Sequence, residues 1–341
     1  MSGPSDDTLV LEIRDLKIGV DSANGATHRI THGIDLALHR GRTLALVGES
    51  GCGKSVTALA TLNLLAPPLR ILSGSIRIRL TDGGQTTDIT ALDPLGDEMR
   101  AVRGREIAMI FQDPMTALDP VYPVGEQIAE VLRHQLGLTP AAAMSRAVDL
   151  LRLVGIPDPA KRAKEYPFQL SGGMRQRVVI AIAVACSPKV LIADEPTTAL
   201  DVTVQAQILA QLRELGERLG TTMLLITHDL GVVAETAHEV AVMYRGHIVE
   251  RASVDALFEC PAHPYTQGLL ASLPPVEGER RALTPIPGQV PPITESFMGC
   301  PFADRCAHTL AVCRTENPPA VALDAQHSVA CFLYAAAEQA A

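Results

Sequence analysis

The stretch Gly48-Glu49-Ser50-Gly51-Cys52-Gly53-Lys54-Ser55 limits what this chain can fold into more than any other. It reads G-x-x-x-x-G-K-S, the pattern of a glycine-rich loop that cradles phosphate oxygens. A short apolar run, residues 43–47, precedes it, and Val56, Leu59, Leu62 and Leu65 follow at helical spacing. That order of strand, glycine loop and helix separates the motif from a chance glycine-rich turn. Gly48, Gly51 and Gly53 let backbone N–H groups turn inward where side chains would collide. A helix opening near Lys54 presents unpaired N–H groups and its positive dipole end to the same anion. Lys54 can reach the β and γ phosphates, and the Ser55 hydroxyl can hold Mg²⁺. The expected nucleotide contacts are Gly48, Ser50, Gly51, Gly53, Lys54, Ser55 and Val56.

Length and composition set the outer bounds. The 341 residues allow two or three domains. Hydrophobic residues make up 47%, aromatic ones only 3%, so the core must be built from Leu, Val, Ile and Ala. A net charge of −9 argues against nucleic acid as the main partner. Residues 1–7 are small and polar, so no leader peptide is expected. The longest apolar run, residues 178–186, is too short to span a bilayer. A cytosolic chain whose membrane role comes through a partner is the expectation. Seven cysteines in that setting point to free thiols or metal ligands before disulfides.

Along the chain, residues 10–18 and 30–38 read as strands around a polar turn at 21–25, and the alternating residues 75–80 as a half-exposed strand. Pro67-Pro68 ends the helix after the glycine loop, and residues 82–97 read as loop. Residues 107–111 form a buried strand. Amphipathic helices at 124–135 and 141–154 then suggest a helical insertion over about 113–170. A long helix opens after Ser171, an N-cap candidate, and runs to Cys186. Residues 190–194, 223–226, 240–244 and 247–250 read as strands and 204–219 as a helix. Beyond Pro264 prolines mark an irregular extension, with a frayed tail from Ala335.

The strand at 190–194 ends in Asp194-Glu195. After a phosphate loop, such a pair places one acid on Mg²⁺ and a second where it can act as general base toward a γ phosphate. Asp194 is expected in the first role and Glu195 in the second.

Taken together these motifs resemble the ABC-type ATPases. Leu170-Ser171-Gly172-Gly173-Met174-Arg175-Gln176 looks like the signature of that family, Gln112 like its Q-loop, Ala199-Leu200-Asp201 like its D-loop and His228 like its switch histidine. All six elements occur in the family's order over roughly residues 8–260. The resemblance implies an α/β fold: a P-loop NTPase of ABC type with an antiparallel β subdomain, a mostly parallel core sheet, the helical insertion and a C-terminal extension carrying cysteines. It divides the chain into a nucleotide-binding domain, 1–262, and an extension, 263–341. It implies ATP and Mg²⁺, the metal held by Ser55, Gln112 and Asp194, with Gln112 and His228 joining Glu195 in catalysis. Two such domains would close head to tail around two ATP molecules, Ser171, Gly172 and Gly173 contacting the γ phosphate bound on the partner chain, and Asp201 is a further expected cofactor contact. The family usually stacks adenine on an early aromatic residue, yet no Phe, Tyr or Trp precedes Phe111; His28 or Ile18 could substitute.

His263-Pro264-Tyr265-Thr266, the run Gln112–Pro120 and Cys300-Pro301-Phe302-Ala303-Asp304-Arg305-Cys306 resemble the dipeptide and oligopeptide importer ATPases. Nickel importers share these features. The implied protein powers peptide uptake at the cytoplasmic face of the inner membrane. It would pair with itself or a paralogous ATPase, and dock on two permeases fed by an extracytoplasmic binding protein. Cys300, Cys306, Cys313 and Cys331 are separated by five, six and seventeen residues. Soft thiolates can hold zinc or an iron–sulfur cluster. The resemblance implies a four-cysteine [4Fe–4S] cluster. Two rivals are a soluble ABC ATPase of DNA repair or ribosomes, which the acidic balance and the C-terminal extension disfavour, and a redox-sensing module centred on the cysteines.

Overall fold

The computed structural model describes residues 8–22, 25–80, 85–198, 201–273, 285–295 and 297–338. The first sheet grows from the alternating pattern of β1 (Leu9–Asp21), whose Leu11, Ile13, Leu16 and Ile18 are buried. β2 (Thr27–Arg29) and β3 (Ile34–His39) pair back on β1 in antiparallel fashion. The chain then leaves this sheet as β4 (Thr43–Val47) and α1 (Lys54–Thr61), and returns as β5 (Leu69–Arg79) and β6 (Thr86–Asp88). α1 is shorter than the spacing of Leu62 and Leu65 predicts. Asn63 adopts a left-handed φ of 50°, and Arg103 donates to the carbonyls of Leu62 and Asn63, so the chain turns while Leu62 stays buried. Ala199 and Leu200 lie outside the described residues.

The order α2 (Asp97–Val102), β7 (Ile107–Ile110), α3 (Pro114–Ala117), α4 (Val124–Leu136), α5 (Pro140–Leu153), α6 (Pro159–Arg162) and α7 (Gly172–Ala183) follows. The insertion is helical as its periodicity predicts. Thr139 caps α5 by accepting from Ala142 N–H, and Gly137 ends α4 at a left-handed φ of 64°. Ile128, Leu132, Leu150 and Leu151 pack on Val178 and Ile180 of α7, so the insertion shares its core with the helix that Ser171 opens. The region 82–97, expected to be loop, holds β6 and a 3₁₀ turn whose Asp88 side chain accepts from Thr90 N–H.

β8 (Val190–Asp194), α8 (Val202–Leu219), β9 (Thr222–Thr227), α9 (Leu230–Thr236), β10 (Glu239–Tyr244), β11 (His247–Ser253) and α10 (Val254–Glu259) come next. β10, β4, β9, β8 and β7 run parallel, in that order. The central strands β4, β8 and β9 are buried at every residue, as strands covered on both faces must be.

The extension is more ordered than its prolines predict. It forms α11 (Pro264–Ala271), β12 (Ala320–Ala322), β13 (Ser328–Ala330) and α12 (Phe332–Glu338), the last running into the tail expected to fray. β13 pairs antiparallel with β11 and β12 with β13, so the second sheet has eight strands. Glu250 is the joint. Its carboxylate, 1% exposed, accepts from the N–H groups of Ala262 (2.7 Å) and His263 (2.9 Å) and meets His327 Nε2 at 2.8 Å. Truncating it strands three buried polar partners. Glu250→Ala is therefore expected to lower stability by about 3–5 kcal/mol. Denaturant unfolding of both chains measures this, and a loss below about 1 kcal/mol would contradict the joint.

Candidate functional site

The glycine loop fills the turn between β4 and α1, where its backbone is pressed against β10. A Cβ on Gly48 would stand 2.1 Å from the Met243 carbonyl oxygen, and Gly53 has φ 109° with Met243 Cε 2.9 Å from such an atom. No larger residue fits either place. Gly53 is the N-cap of α1 and offers no side-chain cap; the first turn holds no acid, so its N–H groups stay open to an anion. Lys54 is buried. Its ammonium donates to the carbonyls of Gly48 (2.7 Å) and Glu49 (3.0 Å) and lies 3.7 Å from Cys52 Sγ. Ser50 and Gly51 are exposed at the loop's tip, and Val56 packs toward the core.

Two sites distant in sequence then meet. The Ser55 hydroxyl donates to Asp194 Oδ1 at 3.1 Å. Burial raises the Asp194 pKa; Glu195 adds to this, while Ser55 and Lys54 oppose it. Ser55 and Asp194 thus offer two hard oxygen ligands side by side, the donor type Mg²⁺ prefers.

Glu195 sits at a left-handed φ of 46° just beyond β8, a backbone state disfavoured by about 1 kcal/mol for a residue with a Cβ. That turn swings its carboxylate out of the sheet into a cage of donors. Gln112 Nε2 reaches Oε2 at 3.1 Å, the Thr198 hydroxyl reaches the same oxygen at 2.8 Å, and His228 Nδ1 stands 3.3 Å from Oε1. Gln112 and His228 are themselves exposed, so the carboxylate lies at the mouth of the site. Such a group can accept a proton from a bound water. Sequence reasoning missed Thr198, although its place three residues after Glu195 is a signal. It also missed Asp229, which caps α9 by accepting from Gly231 and Val232 and takes a hydrogen bond from Gln205 of α8.

Ser171, Gly172, Gly173 and Asp201 stand apart from this network: among the described residues, no hydrogen bond or ion pair joins them to it. Ser171 caps α7 by accepting from Met174 N–H, and Asp201 caps α8 by accepting from Val204 N–H. The two caps lie together, since a Cβ on Gly173 would come within 2.8 Å of Val204 Cγ1. Ser171, Gly172 and Asp201 are exposed.

Beside Gly51 opens a cavity of about 550 Å³, lined by His28 and Ile30 of the first section and by Arg245, Ile293 and Phe297. His28 thus borders the loop, whereas Ile18 is fully buried in the core. The Phe297 ring lies edge-on to the stacked imidazoles of His32 and His247, with the Arg245 guanidinium 4.3 Å over it. Burial and the neighbouring His247 lower the His32 pKa to about 4, so His32 is neutral at pH 7.

The four C-terminal thiols share one neighbourhood without forming a metal site. Among the described residues no three His, Cys, Asp or Glu side chains are arranged to hold a metal ion. Burial lifts the Cys300 pKa to about 11, and Cys313, Cys331 and Cys306 add to that rise. Cys300 N–H donates to the Cys313 carbonyl at 2.8 Å. Backbone N–H groups two residues on point at the sulfurs of Cys300, Cys306 and Cys331.

Comparison with known proteins places this geometry in a family. Residues 31–198 match the model of the ABC transporter family, and residues 249–313 that of the oligopeptide/dipeptide transporter C-terminal region. A probable peptide ABC transporter ATP-binding protein, y4tR of Sinorhizobium fredii, is 48% identical over 97% of this chain and 96% of its own. The dipeptide transport ATP-binding protein DppD of Bacillus subtilis is 45% identical over 95% and 94%. Its oligopeptide counterpart OppD is 48% identical over 96% and 89%. A dimeric bacterial ABC transporter cassette, MJ0796, superposes with a TM-score of 0.62 at 25% identity over 72% of this chain and 98% of that one. The chain belongs to the ABC transporter family of ATP-binding proteins, and carries the C-terminal region of its oligopeptide/dipeptide members.

Proposed function

We propose that this chain is the ATP-hydrolysing subunit of an importer for di- or oligopeptides. The observation that carries the reading is the cage around Glu195. A carboxylate held by Gln112, Thr198 and His228 lies beside the Ser55–Asp194 pair and the open N-terminus of α1. The transported class follows the C-terminal region and the peptide-transport names of the relatives.

In this reading the γ phosphate takes the Lys54 ammonium from the Gly48 and Glu49 carbonyls, exchanging neutral acceptors for an anion. Ser55 and Asp194, with Gln112, would hold the Mg²⁺ that screens phosphate charge. Glu195 takes a proton from the attacking water, and His228 orients that water and the γ phosphate. Base and ribose lie in the cavity beside Gly51, where His28 and Phe297 stand in for the missing early aromatic. The exposed caps of α7 and α8, Ser171 to Gly173 and Asp201, complete the second face of a nucleotide held by a partner ATPase, either a second copy or a paralogue. Among the described residues no helix is long and apolar enough to cross a membrane. Following the peptide-transport names of the relatives, the pair works at the cytoplasmic face through two permease subunits, supplied by an extracytoplasmic peptide-binding protein. Residues 1–262 form the motor and 263–341 the extension.

The four thiols are read as ligands of a [4Fe–4S] cluster, which would have to draw them into an arrangement that the described residues do not have. Their support is a donor set of free soft sulfurs in one neighbourhood, with backbone N–H groups aimed at three of them. When bound, the cluster would staple the extension.

Three outcomes check these readings. Glu195→Gln should retain MgATP binding and lose turnover by about 10²–10⁴-fold, as removal of a general base does; steady-state phosphate release measures it, and near-normal turnover would remove Glu195 from that role. Purification from native membranes in mild detergent should recover two polytopic permeases with a second ATPase chain; soluble or ribosomal partners would overturn the transport assignment. Protein prepared without oxygen should carry iron and acid-labile sulfide in stoichiometric amount, and lose both in Cys306→Ala. Iron-free and sulfide-free wild-type protein would end the cluster reading.

A further inference from the structure

We propose that Arg305 is a positioning residue for the phosphate loop: the segment between Cys300 and Cys306 grips Glu49, and that grip sets the loop's affinity for nucleotide. The inference rests on the nucleotide reading above and goes beyond it by giving the C-terminal extension a part in binding.

Glu49 is the second residue of the loop, and all three of its polar groups are held. Its carboxylate takes a forked pair from Arg305, at 2.7 and 3.1 Å. Its N–H donates to the Tyr265 hydroxyl at 2.9 Å, and its carbonyl accepts from Lys54 at 3.0 Å. Two of these three holds come from the extension. Arg305 is only 9% exposed and is fixed in turn. It donates to the carbonyls of Pro287 (2.8 Å) and Gly288 (3.4 Å) and to the Tyr244 hydroxyl (3.3 Å), and packs over the rings of Tyr244 and Phe302.

Two consequences follow for the loop. When Lys54 leaves the Glu49 carbonyl for a phosphate, Arg305 and Tyr265 hold the Glu49 peptide together with the Cys52 N–H, a longer contact of 3.4 Å. A bidentate, largely buried guanidinium is suited to that, unlike an exposed pair that contributes little. The second consequence is electrostatic. A free carboxylate in a loop that receives a polyanion would repel it, and Arg305 removes that repulsion. Arg305 directly precedes Cys306 in the chain.

Isothermal titration of the full chain with MgATP tests this, with wild type, R305A, R305K and the double variant R305A/E49Q. R305A should weaken binding about tenfold, the loss of one charged, forked contact. R305K, which keeps the charge without the fork, should lose less. Adding E49Q to R305A should recover most of the affinity, because the stranded carboxylate is then gone. A merely structural Arg305 would give no such recovery. R305A within twofold of wild type, or a loss that E49Q leaves unchanged, overturns the proposal. If R305A does not fold, R305Q with and without E49Q carries the same expectations. Wild-type chain that binds no nucleotide overturns the underlying reading as well, which separates the two failures.

Discussion

Parallel pairing of β4 with β9 and of β9 with β8 sets Val47 opposite Thr227 and Asp194 opposite Ile226. The carboxyl ends of three adjacent strands therefore finish at one level. Each strand leads into candidate site residues: the glycine loop after β4, Asp194-Glu195 at the end of β8 and His228 after β9. β7, paired parallel with β8, brings Gln112 to the same edge. Nothing local holds Ser55 near Asp194, or Gln112 near Glu195; register does. This is the general habit of open parallel sheets, where ligands collect at the strands' carboxyl ends.

The polar joints around this sheet share one design. Glu250, Arg305 and Lys54 are charged groups taken largely out of water, and each is surrounded by fixed partners. Buried charge is tolerated only when it is fully matched. In return each joint allows one geometry, which suits a chain whose extension is rich in proline and poor in core.

Much of the site could be read from residues alone, because motif spacing and strand ends are local. Lys54, Ser55, Asp194, Glu195 and the cap at Ser171 fall into this class. Gln112 and His228 are each legible by themselves and Thr198 is not; only the fold unites the three around a single carboxylate. Arg305, Tyr265 and Phe297 carry no local signal of a nucleotide site. Their positions depend on how a loop-rich segment more than two hundred residues downstream folds back. The strands of the extension were hidden for a related reason: three residues each are too few for an alternating pattern to declare itself. The early end of α1 depended on a guanidinium donated from Arg103, beyond any local propensity.

The extension also settles how the large sheet ends. Without it, β11 would present seven residues of unpaired backbone along an antiparallel margin, an open template for pairing with another chain. β13 covers part of that margin and β12 shortens the new one to three residues. One edge of the sheet is thus blunted against strand-to-strand aggregation while the opposite edge, β7, is only four residues long. In this way the sheet itself is kept from pairing with a second chain.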